Sequence, residues 1–318
     1  MKTLESGRTA ARRKAWAPFS LAIAAAACLS LTACGGGDDD VPPPPPKDMS
    51  VEDTVKNVGK MMQEENFVGV FQMMPESYQS DLNGVVSEFG NAMDADLWNS
   101  VLGIAKDVGY ILTERKEVIQ GLPFYAQMNQ GGELDKQYDG IASMLNNIAN
   151  SDALTIDSLK EGNVAKIIKL LGEGTMDAMT LIPEADFAQA KEGINMIANA
   201  KVEVVSEEGD TAKVKITTEE GEEEMEFKKI DGRWIPAEMA AGWSEMIGEL
   251  KTGVAEMKTD EFKQNLAQAN VMIGMVSGVT SSLREAKTSE EFMSKLGGLM
   301  GLLGGGGPGG PGPGGPGF

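Results

Sequence analysis

Residues 201–236 read KVEVVSEEGDTAKVKITTEEGEEEMEFKKIDGRWIP. Lys201-Val202-Glu203-Val204 alternates polar and apolar side chains, as do residues 212–217 and Met225-Glu226-Phe227-Lys228. Gly209-Asp210, Glu220-Gly221 and Asp231-Gly232 separate these runs. A two-residue period interrupted by glycine-bearing turns predicts an antiparallel meander with one wet face. Arg233-Trp234-Ile235 begins a short fourth strand that Pro236 ends, and Trp234 is expected to be a core aromatic covering the meander.

On both sides of this stretch the period changes to three and four residues, the mark of amphipathic helices. Ser50-Val51-Glu52-Asp53 has the form of a capping start, followed by Val55, Val58, Met61 and Met62. Phe67, Val70 and Phe71 continue an apolar face to Pro75, which suits the first turn of a helix carrying Tyr78, Leu82, Val85, Val86, Phe89 and Met93. A third helix is expected from about Asp96, with Leu97, Val101, Ile104, Val108, Ile111 and Leu112 on one side. Residues 133–150, 158–171 and 184–199 read as further helices, broken by Gly131-Gly132, Gly172 and Pro183. After the meander, Thr259 or Asp260 caps a helix bearing Phe262, Leu266, Ala269, Ile273 and Val276. Thr288 and Glu291 form a capping box ahead of Phe292, Leu296 and Leu299. The fold class is therefore α+β, mainly helical, with one small antiparallel meander of three to four strands near residues 200–236. No internal repeat stands out. The 20 methionines are read as core fillers on helix faces, with a Met-rich adaptable groove as the alternative.

The two ends have a different character. Lys2, Arg8, Arg12, Arg13 and Lys14 precede an apolar, alanine-rich run from Ala15 to Leu31, too short for a confident spanning helix. It closes on Leu31-Thr32-Ala33-Cys34. That tetrad, in this order after a basic stretch and an apolar run, resembles the lipobox of bacterial lipoproteins. The resemblance implies that residues 1–33 are a signal peptide, that Leu31, Thr32 and Ala33 are recognised by the lipoprotein signal peptidase, and that Cys34 becomes the acylated N-terminus. Small residues let the backbone enter the peptidase, and the Cys34 thiol becomes the thioether. It also implies a cell-envelope location on a membrane held by acyl chains such as palmitate. Gly35 follows the cysteine in place of the aspartate associated with inner-membrane retention, which favours the outer membrane in a Gram-negative source. Arg12-Arg13 is similar to a twin-arginine signal, but Lys14-Ala15-Trp16 departs from it, so the export route stays open. Residues 34–49, with Gly35-Gly36-Gly37, Asp38-Asp39-Asp40 and Pro42 to Pro46, read as a tether, its prolines a stiff stretch of about 15 Å. Residues 50–303 form the helical α+β domain. Residues 304–318, almost wholly glycine and proline without a Gly-X-Y period, are expected to be a disordered tail.

Charge and residue usage exclude several classes of function. The chain has a formal charge of −20, and the residues from 34 onward hold 23 basic and 47 acidic side chains. Such a body repels nucleic acid and anionic lipid headgroups, so no nucleic-acid partner is expected. There is no histidine, and the only cysteines are Cys28, in the leader, and Cys34. Cys–His and Ser–His–Asp catalysis, His- or Cys-based zinc sites, His-ligated haem and iron–sulfur clusters all lack their residues. No cofactor and no metal ligand set is expected.

The remaining chemical candidates are weak. Gly242-Trp243-Ser244-Glu245-Met246 is the nearest stretch to a nucleophile elbow but lacks the final glycine, and the chain has no histidine base. Asp94-Ala95-Asp96 starts like a calcium loop, yet Trp98 holds the fifth position. Glu219-Glu220 with Glu222-Glu223-Glu224 reads as a solvated face. Carboxylate-only catalysis needs two carboxyls across a cleft, and the sequence nominates no pair.

Asn66-Phe67 with residues 73–79 (MMPESYQ) resembles the early helices of secreted nuclear-transport-factor-two-like domains, and residues 227–234 (FKKIDGRW) resemble their final hairpin. The resemblance implies a curved sheet wrapped on a helix around a cone-shaped pocket. The long helical stretch between these segments and the helices after Trp234 depart from that pattern. The expectation is a membrane-anchored envelope lipoprotein whose body is a non-catalytic binding or interaction module for an envelope protein or a small apolar ligand. The alternatives are a hydrolase using carboxylates alone and a structural spacer or assembly factor.

Overall fold

A computed structural model describes residues 44–129, 132–179, 192–219 and 221–303. Its helices before the sheet are α1 (Val51–Gln63), α2 (Phe67–Gln72), α3 (Glu76–Ala92), α4 (Ala95–Glu114), α5 (Lys116–Gln120), α6 (Pro123–Met128), α7 (Glu133–Asn150), α8 (Ile156–Glu161) and α9 (Val164–Met179). A helical segment at 192–198 leads into the meander. The strands are β1 (Lys201–Glu208), β2 (Thr211–Thr218), β3 (Gly221–Ile230) and β4 (Arg233–Pro236). After them come α10 (Ala237–Glu256), α11 (Asp260–Arg284) and α12 (Ser289–Leu303). The described residues are mainly helical with one four-stranded antiparallel sheet in the order β1-β2-β3-β4.

The turn chemistry explains the sheet's register. Two residues, Asp231 and Gly232, join β3 to β4, and both have positive φ (52° and 78°), as a primed hairpin turn requires. Ala212, Val214, Ile216 and Phe227 point to one face, where Val51 and Val55 of α1 cover them together with Val202 and Trp234. The other face is wet: Lys215 pairs with Glu222 at 2.6 Å, and Lys213 with Glu224 one cross-strand step away. Edge strand β1 carries a register shift between Val204 and Ser206, the kind of bulge that blunts an open edge.

Cap residues mark the helix starts. Ser50 Oγ accepts the Asp53 N–H, Asp94 the Leu97 N–H, Thr259 the Phe262 N–H and Thr288 the Glu291 N–H. The expected helix at 158–171 is instead two, α8 and α9. The break falls at Gly162, in the left-handed region at φ 70°, and not at Gly172, through which α9 runs unbroken. An added Cβ at Gly162 would also meet the Asn83 carbonyl at 2.3 Å, so the turn has no room for a side chain. The expected helix at 184–199 lies partly outside the described residues. The Gly/Pro tail at 304–318 lies wholly outside them.

Three large cores and two small clusters, around Leu159 with Ile167 and around Ala153 with Leu170, run through the described residues. The sheet core has just been described. A central core joins Val68 and Phe71 of α2, Tyr78 and Val85 of α3, Val164 and Ile168 of α9, Ile235 of β4, and Trp243, Ile247 and Val254 of α10. A third gathers Ile111 of α4, Leu122, Tyr125 of α6, Tyr138 of α7, Leu283 of α11, and Ala286 and Phe292. α10 lies along α3, where Trp243 stacks on Tyr78 with ring centroids 3.9 Å apart and donates its indole N–H to Asp81. α11 lies along α4, so the elbow α3–α4 is followed by a second elbow, α10–α11.

One buried carboxylate joins α4 to α11. Asp107 accepts hydrogen bonds from Ser281 at 2.8 Å and from the Arg284 guanidinium, whose plane sits 4.4 Å from the Tyr110 ring centroid. Arg115 adds a bond to the Arg284 carbonyl. Removing Asp107 leaves Arg284 without its counter-charge and empties the space between the helices. Asp107→Ala is expected to cost about 2 kcal/mol, below the fully buried range because Arg284 is partly solvated. Chemical denaturation would measure this, and Thr280→Ala, whose bond to Asp107 is long at 3.4 Å, should cost clearly less.

Candidate functional site: the docked end of the tether and the core-facing carboxylates

Cys34 and Leu31-Thr32-Ala33 lie outside the described residues. Residues 45–48, at the end of the proline stretch, dock on the body through two hydrogen bonds and two ion pairs. Arg233, only 6% exposed, donates from Nη2 to the Pro45 carbonyl at 3.1 Å. The Asp48 N–H donates to the Gly232 carbonyl at 3.0 Å. Lys229 pairs with Asp48 at 2.9 Å, and Lys47 with Glu76 at 2.7 Å. Asp231, on the same turn, accepts the Ser77 N–H at 2.8 Å and so caps α3 from across the fold. Burial pushes the Arg233 guanidinium down and Glu76 offsets part of that, while the Ser77 hydrogen bonds hold the Asp231 carboxyl below its usual range. The β3–β4 turn is thus a clasp: one surface grips residues 45–48, the other grips the start of α3.

Two sequence segments set apart above, residues 73–79 and 227–234, meet at this Ser77–Asp231 contact. Spacing alone gave no hint of the clasp. Arginine is usually a surface residue, and only burial of Arg233 against the incoming chain identifies its role.

The other candidates resolve into structure. Gly242 to Met246 lie within α10; Trp243 is buried and Ser244 is exposed, so no strand-to-helix elbow exists. Asp94 caps α4, and Trp98, the residue out of place for a calcium loop, donates its indole N–H to the Leu154 carbonyl at 2.6 Å and meets Phe89 edge-on. Among the described residues no cluster of three or more acidic side chains is arranged to hold a metal ion. Nor is any helix among them long and apolar enough to cross a membrane.

The glutamate run divides by strand alternation. Glu222 and Glu224 face outward to lysines, while Glu223 turns toward α10. Its Oε2 is buried with no hydrogen-bond partner among the described residues. Burial first, and then the charge of Glu238, raise its carboxyl above the usual range. Carboxylate-only hydrolysis needs two facing carboxyls, and Glu223 with Glu238 is a pair whose charges interact.

In comparison with known proteins, no family model, no curated protein and no solved structure matches this chain.

Two outcomes follow from this geometry. Glu223 has a raised folded pKa, so the folded state favours its protonated form; that stability is present at low pH and lost as pH rises through the folded value. Glu223→Gln is therefore expected to raise Tm at pH 7 and to have no effect at pH 4, read by melting curves at the two pH values. Asp231 is shifted the other way, so its contribution is present at neutral pH and lost on acidification. Asp231→Ala removes a cap and puts alanine at positive φ, with an expected loss of about 1–2 kcal/mol at pH 7 and less at pH 3, read by denaturant midpoints.

Proposed function

We propose that the chain is a cell-envelope lipoprotein, cut before Cys34 and held on a membrane by acyl chains on that residue, with its body acting as a non-catalytic binding or interaction module. The observation that carries the placement is the ordered leader: five basic residues, an apolar run, then Leu31-Thr32-Ala33-Cys34. Each buried methylene contributes about 0.8 kcal/mol, so several chains anchor the protein without a spanning helix.

The non-catalytic reading of the body draws on the fates of its polar residues. Asp81, Asp107 and Asp231 are occupied in holding helices together, and the serine nearest to an elbow lies in mid-helix. The partner is an envelope protein or a small apolar ligand. The second is supported by the resemblance to nuclear-transport-factor-two-like domains, whose two matching segments touch at Ser77 and Asp231. Glu223 beside Glu238 is the observation that favours a hydrolase in its place, and Glu223→Gln separates the two, since a binding module keeps its ligand when that carboxyl is neutralised.

The placement is tested directly in cells supplied with labelled fatty acid. The natural chain should be cleaved and labelled, and a Cys34→Ala chain should be neither. Mass spectrometry that finds a mature N-terminus elsewhere, or an unacylated Cys34, overturns the proposal.

A further inference from the structure

α11 carries two seams. The inward one, Phe262, Leu266, Ala269, Ile273 and Val276, is half-buried and continues into Thr280 and Leu283, which are buried against the rest of the fold. The outward one is Gln264, Ala267, Val271, Gly274 and Gly278, and every one of the five is exposed. Their spacing alternates three and four residues, which keeps them in line along one side of the helix.

Two independent features set this seam apart. Residues 264–283 contain no charged side chain, the longest such run among the described residues of a chain in which 24% are charged. At 1.5 Å per residue that is about 30 Å of uncharged helix. Val271 is 63% exposed and its neighbour Met272 54%, the first being among the most exposed large apolar side chains described. A Cβ on Gly274 or on Gly278 would meet nothing within 4 Å, as at Gly84, Gly103 and Gly242 in other helices, so at these two positions the α11 backbone is open to close approach from outside.

We propose that this seam is the contact between two copies of the chain, α11 against α11 about a twofold axis. The choice of a second copy follows from charge and symmetry. At an isologous contact each patch meets itself, so near the axis like faces like. A charged side chain would then oppose its own copy, and a body of formal charge −20 adds repulsion at every other part of its surface. Amides, valine and glycine are self-complementary: the Gln264 amide both donates and accepts, Val271 packs on valine, and facing glycines let two helix backbones approach closely. A partner recognising this acidic protein by charge would instead use its carboxylates, and the seam has none. The proposal does not depend on acylation of Cys34.

Sedimentation equilibrium of the full chain in density-matched detergent tests it, with Val271→Glu and Gly274→Leu as variants and Leu250→Glu, an exposed apolar site on α10, as control. The natural chain and the control should be dimeric. Val271→Glu should weaken self-association at least tenfold with an unchanged melting curve. Gly274→Leu should weaken it as much while leaving the melting temperature unchanged or higher, a combination that a purely structural role for the glycine does not produce. A natural chain that is monomeric at all concentrations overturns the proposal, including the case in which the seam captures a different protein. So does a dimer that neither variant weakens, or one that Leu250→Glu breaks equally.

Discussion

Strand β4 is four residues long, and all four are buried. Side chains alternate along a strand, so two adjacent residues serve two different cores. Trp234 closes the sheet core against α1, and Ile235 points into the helical core with Tyr78 and Trp243. Arg233 before them receives the tether's carbonyl, and Pro236 after them opens α10. A sheet with one wet face and a helical body with its own apolar stripe would otherwise be separable units. The two-residue period of this one strand makes them continuous, and the Asp231-Gly232 turn places it in register.

Charge is managed locally throughout the described fold. Outward glutamates of the sheet meet lysines across one strand. Carboxylates that face other elements are each given donors: Asp107 has a guanidinium and a hydroxyl, Asp81 an indole, Asp231 a backbone amide. Each bond joins residues far apart in the chain, so these acids act as fasteners between helices that pack late in sequence order. Glu223 departs from the pattern, with one buried oxygen unpaired and its ionised form disfavoured. Such a group is a point at which stability has been given up, as are the Tyr138 hydroxyl and Arg233 Nε, which are also buried without a partner among the described residues.

Regular elements were legible because their periods are simple. The alternation of Val202, Val214 and Phe227 with lysine and glutamate is the sheet, and the capping side chains of Ser50, Thr259 and Thr288 begin helices where their spacing says. The break at Gly162 was not legible, because Gly162 and Gly172 look alike in sequence. What distinguishes them is tertiary: the Asn83 carbonyl stands where a Cβ at 162 would go, whereas the nearest atom to a Cβ at 172 is on the Phe67 ring edge at 3.1 Å. The clasp was illegible for a related reason, since nothing local to Arg233 or Pro45 records a partner 188 residues away. The lipobox tetrad is the opposite case, a local chemical pattern that needs no fold to be read.

Tether and seam bear on one another through distance. With residues 45–48 gripped by the β3–β4 turn, only residues 34–44 span from the acylated cysteine of the proposal to the body. Fully extended they reach about 35 Å at most. Such a tether holds an acidic body close to a membrane that its charge resists, and it confines neighbouring copies to one thin layer. Confinement raises the effective concentration of like surfaces and removes freedom that a contact between free molecules would have to give up. A seam made of valine, glycine and amide side chains needs no anchor to form, and confinement strengthens it further. In that layer it has only to overcome the repulsion of its own surroundings, and a stretch of about 30 Å without a single charge is what that task requires.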